Sequence, residues 1–529
     1  MLSQTIITPG ALRARLLERQ ELALVDVRET GTYSKSHLLW AASIPLSRLE
    51  LMFAALVPRA SAPVVLCDAG EGLAHIAAAR LAAFGYTDVA VLEGGIQAWK
   101  DAGFELFSGV NVPSKAFGEY IEHRYDTPNI SAEELKARQD AGENLVVLDS
   151  RPMPEFYTMS IPGGRCVPGA ELAYRVHDMV TDANTTVVVN CAGRTRSIIG
   201  AQSLINAGIP NPVMALRNGT MAWHLAGYDL ARGATDRPTS ISKSAVNEAR
   251  TCASEVAQRF DVRSVDRAEL ARFQNESSSR TLFLLDVRSP EEYSEGHLPG
   301  SVNAPGGQLV QATDEYAAVL GARLVLIDDT GVRATMTASW LNQLGWEHAY
   351  VLQDGLSGAA LETGIPTPTV LGNLHEQAST IAANALEAGL QAGDMSLIDV
   401  GSSRQFRRGH IAGAKHMTRH RLETSIDTMS EAANLVVTSQ DGLLACIAAA
   451  DIAQRSGRSV RALAGGNQGW REAGYSLIAG TDGLDPDPQD VWVSPYDNAT
   501  TLEQSMQAYL DWEIALVEQL KRDGTTAFQ

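Results

Sequence analysis

The length, composition and charge of the chain exclude several kinds of protein. Its 529 residues are too many for one hydrophobic core and predict about three to four domains. A content of 45% hydrophobic and 20% charged residues is typical of a globular protein. The formal net charge of -19 argues against nucleic acid or an acidic membrane as a partner, because both bind basic surfaces.

The cysteines and the N-terminal segment indicate a compartment. The five cysteines are odd in number and show no CxxC spacing, which argues against a disulfide framework or a zinc site and favours reducing conditions. The N-terminal segment lacks an apolar stretch followed by a small-residue cleavage site, and no run of about 18 apolar residues occurs. We therefore expect a cytoplasmic location, no membrane partner, and no metal or other cofactor.

A unit of alternating strand and helix patterns is repeated four times along the chain. In each copy an apolar run that predicts a buried strand ends at an acidic residue; these residues are Asp26, Asp149, Asp286 and Asp399. A second apolar run leads into a turn whose glycine is Gly70, Gly193, Gly331 or Gly442. The nearly constant offsets between these landmarks predict four copies of one structural unit.

The alternation of short apolar runs with helical segments predicts an α/β fold. Each unit is expected to be a mostly parallel sheet flanked by helices on both faces. The domains are predicted at residues 1–107, 108–232, 255–368 and 369–480, with a linker at 233–254 and a C-terminal helical tail at 481–529.

The tail pattern predicts an amphipathic helix. Its apolar residues recur at helical spacing and are Leu502, Met506, Leu510, Ile514 and Val517. We expect this helix to pack against a domain or against a second subunit, so a homodimer is one arrangement that the sequence leaves open.

The turn after the second apolar run of unit two, NCAGRTRS, combines one cysteine with two arginines. A cysteine is a nucleophile as its thiolate, and its pKa falls at a helix N-terminus beside cationic groups. Cys191 precedes a predicted helix, whose N-terminal N–H groups and dipole favour an anion. Arg194 and Arg196 add positive charge. The turn is therefore predicted both to activate sulfur and to attract an anion.

Four motifs in fixed order resemble those of the rhodanese family of sulfurtransferases over nearly the whole chain. They are the D-V-R strand end, the G-H-[IL]-x-G-[AS] segment, the C-x4-R-[ST] loop and the closing G-G-x-x-x-W. The resemblance implies four tandem rhodanese-like domains and a double-displacement reaction of the thiosulfate sulfurtransferase type. Cys191 would take the outer sulfur of a small anionic donor, thiosulfate, and release sulfite. The persulfide formed would then pass its sulfur to cyanide or a thiol.

The resemblance also implies roles for the residues around Cys191. Backbone N–H groups of the loop would cradle the persulfide, while Arg194 and Arg196 hold the sulfonate end of the donor. The expected substrate-binding residues are Ala192, Gly193, Arg194, Thr195, Arg196 and Ser197. Three residues of the preceding connection are candidates for the border of the pocket, namely Arg165, Cys166 and Arg175.

The corresponding turns of the other units lack part of this equipment. Alignment on the turn glycine places Asp329 at the cysteine position of unit three and Gln440 at that of unit four. Neither side chain can carry a persulfide. Unit one keeps Cys67, but the alignment puts Asp68 at the nucleophile position, and a carboxylate beside a thiol raises the thiol pKa. We therefore expect units one, three and four to be inactive and unit two to be catalytic.

Several alternatives to a thiosulfate sulfurtransferase remain at this stage. A 3-mercaptopyruvate or other persulfide sulfurtransferase would use the same cysteine, although two arginines suit a dianionic donor better. Cysteine phosphatases have a longer loop between cysteine and arginine than the one that precedes Arg196. The chain could also be a non-catalytic sensor or scaffold for sulfane sulfur, because three units lack a complete loop. The residues leave the physiological donor and acceptor open.

Overall fold

The computed structural model describes residues 5–426, 434–497 and 500–529, in which the four units form four α/β domains. The predicted fold class is confirmed, and domain 1 supplies the first elements. Its strands are β1 (Thr5–Ile7), β2 (Leu22–Asp26), β3 (Ala42–Ser43), β4 (Val64–Cys67) and β5 (Val89–Leu92). Its helices are α1 (Pro9–Glu18), α2 (Thr30–Tyr33), α3 (Leu49–Leu56), α4 (Leu73–Ala83) and α5 (Gly95–Asp101).

Domain 2 begins with a helix that leads in from domain 1. The helices are α6 (Val112–Tyr125), α7 (Ala132–Asp140), α8 (Met153–Thr158), α9 (Glu171–Met179), α10 (Thr195–Asn206) and α11 (Gly219–Leu225). The strands are β6 (Asn129–Ile130), β7 (Leu145–Asp149), β8 (Arg165–Cys166), β9 (Thr186–Asn190) and β10 (Val213–Leu216).

Domain 3 is preceded by a long helix that starts inside the predicted linker. The helices are α12 (Lys243–Arg259), α13 (Arg267–Asn275), α14 (Pro290–Glu295), α15 (Gly306–Gln311) and α16 (Val332–Leu344). The strands are β11 (Arg263–Val265), β12 (Leu282–Asp286), β13 (Val302–Asn303), β14 (Val319–Leu320), β15 (Arg323–Ile327) and β16 (Ala349–Leu352). Because α12 buries Ala245, Ala249 and Ala253, the second half of residues 233–254 is a packed helix that follows a polar segment.

Domain 4 and the tail complete the described elements. The strands are β17 (Thr380–Ile381), β18 (Met395–Asp399), β19 (Lys415–His416), β20 (Asn434–Thr438) and β21 (Val460–Leu463). The helices are α17 (Ala383–Ala392), α18 (Ser403–Arg408), α19 (Arg419–Ser425), α20 (Leu443–Ser456), α21 (Gly466–Glu472) and the tail helix α22 (Leu502–Asp523). The predicted helical tail is thus confirmed.

The sheets of domains 2, 3 and 4 share one topology. Their strand orders are β6-β10-β9-β7-β8, β11-β16-β15-β12-β13 and β17-β21-β20-β18-β19, with all pairs parallel. The central strand β9 is buried on both faces, as its run of three valines predicts for a parallel strand covered by helices. The carboxyl ends of β7 and β9 therefore meet at one edge, where Asp149 pairs with Asn190.

The sheet of domain 1 contains one strand that comes from domain 3. Its order is β1-β5-β4-β2-β14, and β14 pairs antiparallel with β2 through Val319 opposite Ala23. Domains 1 and 3 also share one apolar cluster, which includes Phe53 and Leu309 and extends to Phe117 of α6. Domains 1 and 3 consequently form one continuous packed unit.

The acid and arginine of the D-V-R motif have a scaffold role. The Arg151 guanidinium donates to Asp149 at 2.7 Å and to the Met159 carbonyl at 2.7 Å, and the ion pair is buried. The same pair recurs as Asp26–Arg28 and Asp286–Arg288 in the other units. Since it occurs in units with and without a cysteine, it serves the fold and not the chemistry.

The tail helix α22 packs against α6 and reaches the Cys191 turn. Leu516 and Leu520 lie in an apolar cluster with Val112 of α6, whereas Met506 and Leu510 contact Met221 of domain 2. The apolar residues predicted to form the buried face do not all lie on it. Ile514 is 48% exposed, and the residue before it, Glu513, is 2% exposed. The helix thus packs within its own chain.

Candidate active site

The Cys191 turn lies at the carboxyl edge of the domain 2 sheet, between β9 and α10. Cys191 directly follows the last residue of β9, and α10 begins at Thr195. Ligands of open α/β sheets bind at this edge, where loops lead into helix N-termini. The thiol is enclosed, since Cys191 is 2% exposed. The local sequence pattern therefore placed the cysteine correctly at a strand-to-helix turn.

Two neighbours act on the Cys191 thiol. The Ser197 hydroxyl, in the first turn of α10, donates to Sγ at 3.0 Å. Burial raises the pKa of the Cys191 thiol, whereas the positive charge of Arg196 and the hydrogen bonds from Ser197 oppose that rise. Arg196 and Ser197 are thus the groups that favour the thiolate.

Arg196 lies between domains 2 and 3. Its guanidinium donates to both carboxylate oxygens of Glu155, at 2.8 and 2.7 Å, and to the Gln308 side chain of domain 3 at 3.2 Å. Glu155 is 39% exposed at its side chain, so this ion pair is open to exchange. A planar guanidinium paired in this way is suited to bidentate binding of an oxyanion.

Arg194 has different partners from Arg196. It donates to Glu119 of α6 at 2.6 and 2.7 Å and to the Asn218 side chain at 2.9 Å, and it also pairs with Glu122. The structure therefore directs the Arg194 guanidinium to α6, where its charge is balanced by two carboxylates. Its predicted role in holding a donor stays a prediction.

The predicted pocket residues Arg165, Cys166 and Arg175 have partners in domain 2 or in the segment that follows it. Arg165 lies on the edge strand β8 and pairs with Asp236 at 3.3 Å, and Arg175 pairs with Glu171 at 2.5 Å. The Cys166 thiol donates to the Arg151 carbonyl at 3.4 Å, and burial raises its pKa to about 12. These contacts tie the three residues to the scaffold.

Cys67 occupies a different position from Cys191. It is the last residue of β4, is fully buried, and pairs with Asp26 in the strand register. Burial and the nearby carboxylate of Asp26 raise the pKa of the Cys67 thiol well above its usual value. Cys67 is thus a small buried residue that ends a strand.

Strand register corrects the predicted equivalences in units three and four. The partner of the strand-end acid is Asn190 in domain 2, Ile327 in domain 3 and Thr438 in domain 4. The residue that follows is Cys191, Asp328 and Ser439, so Asp329 and Gln440 each lie one position too late. The alignment on glycine failed because Gly331 and Gly442 are the N-caps of α16 and α20, the position that Arg194 has for α10.

A second contact supports the corrected register. In every domain a Cβ on the second glycine of the closing motif would collide with the carbonyl oxygen of the residue at the nucleophile position. These glycine and carbonyl pairs are Gly95 with Asp68, Gly219 with Cys191, Gly355 with Asp328 and Gly466 with Ser439. Within the described chain, one of the four equivalent positions is therefore a thiol.

In units one and three, backbone N–H groups of the turn bind the side-chain carboxylate of the aspartate at the nucleophile position. The Asp68 carboxylate accepts from the backbone N–H groups of Gly70 at 2.8 Å and Ala74 at 3.0 Å. The Asp328 carboxylate accepts from those of Gly331 at 2.7 Å and Arg333 at 3.0 Å. Backbone donors at this turn consequently bind negative charge next to the strand end.

Several residues near the turn were missed by sequence reasoning. The tail contributes Tyr496, whose hydroxyl lies 3.2 Å from that of Thr220, together with Tyr509 and Glu513. Helix α6 contributes Lys115, which is 3% exposed. No local signal marks these residues, because they reach the turn from segments that are distant in sequence.

Metal ligands and membrane spans are absent from the described ranges. No group of three or more His, Cys, Asp or Glu side chains there could hold a metal ion. In the same ranges no helix has the length and apolar character to cross a membrane.

The chain matches a known family model and a solved structure over most of its length. The model of the rhodanese-like domain matches residues 8–102, 131–226, 266–361 and 382–473. The crystal structure of a thiosulfate sulfurtransferase from Pseudomonas aeruginosa is similar, with 49% identity, a TM-score of 0.95 and 99% of each chain covered.

Two curated proteins match single segments of the chain. One is the HTH-type transcriptional regulator Rv0324 of Mycobacterium tuberculosis, 32% identical over 20% of this chain. The other is the uncharacterized protein slr1261 of Synechocystis, 32% identical over 21% of this chain. The matched segments span 45% and 62% of the length of these relatives. The four family matches and the similarity over the full length show that the chain belongs to the rhodanese family, with four rhodanese-like domains.

Proposed function

We propose that this protein is a thiosulfate sulfurtransferase that carries sulfur as a Cys191 persulfide. The observation that carries the proposal is the combination at one turn of a buried thiol, the Ser197 hydroxyl at 3.0 Å and the Arg196 charge. The equivalent positions of the other domains hold Asp68, Asp328 and Ser439, none of which can form a persulfide. The similar P. aeruginosa protein bears the same activity in its name.

The proposed first half-reaction is a displacement at sulfur. The Cys191 thiolate attacks the outer sulfur of thiosulfate, its S–S bond breaks, and sulfite leaves with the bonding electron pair. Backbone N–H groups from Ala192 to Ser197 then stabilise the charge of the persulfide, as the equivalent groups do for the carboxylates of Asp68 and Asp328.

We propose separate tasks for the two arginines in place of the shared donor-binding role predicted from the sequence, because Glu119 and Glu122 already balance the Arg194 charge. Arg196 binds the sulfonate oxygens by exchanging its Glu155 pair for the donor. Arg194 keeps the turn in place through Glu119 and Glu122. In the second half-reaction the outer sulfur passes to cyanide or a thiol and Cys191 is released as the thiolate. We further propose that the protein works in the cytoplasm, on the basis of its unpaired cysteines.

The experiment that tests this function uses both candidate cysteines. The protein is incubated with thiosulfate and cyanide, and thiocyanate formation is measured for wild type, Cys191→Ser and Cys67→Ser. We expect Cys191→Ser to abolish turnover, because a serine hydroxyl cannot hold the transferred sulfur, and Cys67→Ser to retain it.

The opposite pattern would contradict the site assignment. Activity that survives Cys191→Ser and disappears in Cys67→Ser would place the chemistry in domain 1. Replacing thiosulfate by 3-mercaptopyruvate in the same assay identifies the preferred donor. If neither donor supports turnover, the enzymatic proposal is wrong and a sensor is favoured.

A further inference from the structure

The tail helix α22 places a buried carboxylate against the Cys191 turn. Glu513 is 2% exposed, and its Oε1 accepts a hydrogen bond from the Tyr509 hydroxyl at 2.9 Å. Its second oxygen, Oε2, has no hydrogen-bond partner. A Cβ built on Gly193 would lie 3.1 Å from Oε2. The unpartnered oxygen therefore faces the bare side of the loop that carries Cys191.

Charged groups on α6 and on the Cys191 turn surround Glu513. Burial raises the pKa of Glu513 to about 7, Lys115 opposes the rise and Glu119 adds to it. Arg194, on the turn, also lowers this pKa, as does the hydrogen bond from Tyr509 on the same helix. The carboxyl is thus able to exchange a proton near neutral pH. Its charge also reaches the reacting sulfur, because Glu513 raises the pKa of Cys191.

Lys115 is held away from a close ion pair with Glu513. Its Nζ donates to the Val110 carbonyl at 2.7 Å. It lies 5.2 Å from the ring centroids of Trp492 and Tyr509 and 5.0 Å from that of Trp512. The aromatic rings therefore stabilise the ammonium by cation–π contact. This leaves Oε2 of Glu513 free to act on another group.

An unpartnered carboxylate oxygen is costly in a protein interior and calls for an explanation. Burying such an oxygen without a hydrogen bond is unfavourable, because the oxygen loses its contacts with water and gains no partner in the protein. A perturbed carboxyl next to a nucleophile is a common arrangement for proton transfer. The thiosulfate step transfers no proton, whereas a thiol acceptor has one to lose. The second half-reaction is therefore the step that needs such a group.

We propose that Glu513 is the general base that takes the proton of a thiol acceptor in the second half-reaction. This inference rests on the proposed function. The acceptor sulfur attacks the outer sulfur of the Cys191 persulfide while Oε2 accepts the thiol proton. A new S–S bond forms on the acceptor, and the persulfide S–S bond breaks with its electron pair on Cys191. The products are the acceptor persulfide anion, the Cys191 thiolate and protonated Glu513.

The test measures the two half-reactions of the full-length protein separately for wild type and Glu513→Gln. The burst of sulfite after mixing with thiosulfate reports persulfide formation and a folded site. The isolated persulfide protein is then mixed with glutathione, which has a proton to lose, or with sulfite at pH 8, which is largely without one. We expect Glu513→Gln to slow transfer to glutathione by about 10²-fold but not to slow the sulfite burst or the return to sulfite, since loss of the Glu513 charge favours the Cys191 thiolate.

The pH profile and a matched control sharpen the test. Transfer to glutathione by wild type should rise as pH passes about 7, where Glu513 loses its proton. In Glu513→Gln this rise should be absent and the rate should follow ionisation of the acceptor thiol alone. Glu518→Gln, an exposed residue of the same helix, should behave as wild type.

Three results would overturn the inference. Equal slowing with glutathione and with sulfite would mean that Glu513 only holds the turn in place. Unchanged transfer to glutathione would mean that the carboxylate takes no part. A wild-type protein that releases no sulfite burst would contradict the proposed function itself, which separates that failure from a failure of Glu513.

Discussion

At the scale of single residues, two arginines of one turn pair with glutamates in different parts of the protein. Arg194 is the N-cap of α10 and pairs with Glu119 of α6, whereas Arg196 pairs with Glu155 next to domain 3. Their charge could be predicted from the sequence. Their separate partners could not, because Glu119 and Glu155 lie in distant segments whose approach depends on the packing of whole helices.

These two arginines should respond differently to the same substitution. Arg196→Gln should raise the KM for thiosulfate about tenfold or more, since it removes a charge-assisted contact to the donor. Arg194→Gln should lower the free energy of unfolding by about 3–5 kcal/mol, because it leaves Glu119 buried and unpaired. Steady-state kinetics and urea unfolding of both variants check this. The assignment fails if the two effects are exchanged.

The sequence predicts Cys191 as the candidate nucleophile but does not reveal all of its neighbours. Cys191 stands out because a thiol, two arginines and a helix start lie within one short segment. Glu513 is hidden by its position, since the tail pattern indicated Ile514 for the buried face and Ile514 is 48% exposed. Each step of four residues turns about 40° around a helix of 3.6 residues per turn, so a row that starts at Leu502 has left the buried face by Ile514, while Glu513 lies near its centre.

At the scale of elements, α6 packs against the start of α10 and so positions the Cys191 turn. It packs between α10 and the tail helix α22. The close approach depends on Gly118, where a Cβ would lie 2.8 Å from Cγ2 and 3.0 Å from Cα of Thr195, the first residue of α10. Thr195 is rigidly linked to the loop that begins at Cys191, so a shift of α6 is transmitted to the turn.

A pair of glycine substitutions tests this contact. Gly118→Ala should lower stability by about 1–3 kcal/mol through overpacking, partly offset by better helix propensity, and should reduce activity by displacing Thr195. Gly10→Ala in α1 has no atom within 4 Å of the added Cβ and should be stabilising by about 0.4–1 kcal/mol with full activity. Thermal melts and the thiocyanate assay compare them, and similar behaviour of the two variants would refute the argument.

The strands and helices were the most predictable elements. Uniform apolar runs such as β9 can only be satisfied between two layers of helices, so their position follows from local sequence. The buried face of α12 follows from sequence as well, since its small apolar residues recur at helical spacing. Its partners α9 and α16 could not be predicted, because they come from two different domains.

At the scale of the whole molecule, a buried ion network joins domain 4 to domain 1. Arg419 is fully buried and donates to Glu50 of domain 1 at 3.1 Å and to Asp451 at 3.0 Å. Arg80 of domain 1 reaches back to Glu423 of domain 4 at 2.9 Å. Such a network fixes the orientation of the two domains, because each charge depends on partners from the other.

Removing the central arginine should loosen domain 4 selectively. Arg419→Met removes the fully buried cation from Glu50 and Asp451, which then depend on Arg80 at 3.3 Å, and should cost about 3–5 kcal/mol. Calorimetry should then show a separate transition for domain 4 below that of the remaining domains. Arg455→Met removes an exposed pair to the same Glu423 and should cost at most about 1 kcal/mol. A single unchanged transition in Arg419→Met would contradict the role of the network.

The pairing of strand β14 with domain 1 affects the order in which the domains can fold during synthesis. Leu22 and Ala23 of β2 pair with β14, which follows domain 1 by roughly 200 residues, or about 10–40 s at usual rates of synthesis. Until then this part of β2 is an open edge on the nascent chain, of the kind that recruits strands from other chains. The first domain to leave the ribosome is thus finished only when the third arrives, and this interval is when the protein is most exposed to misassembly.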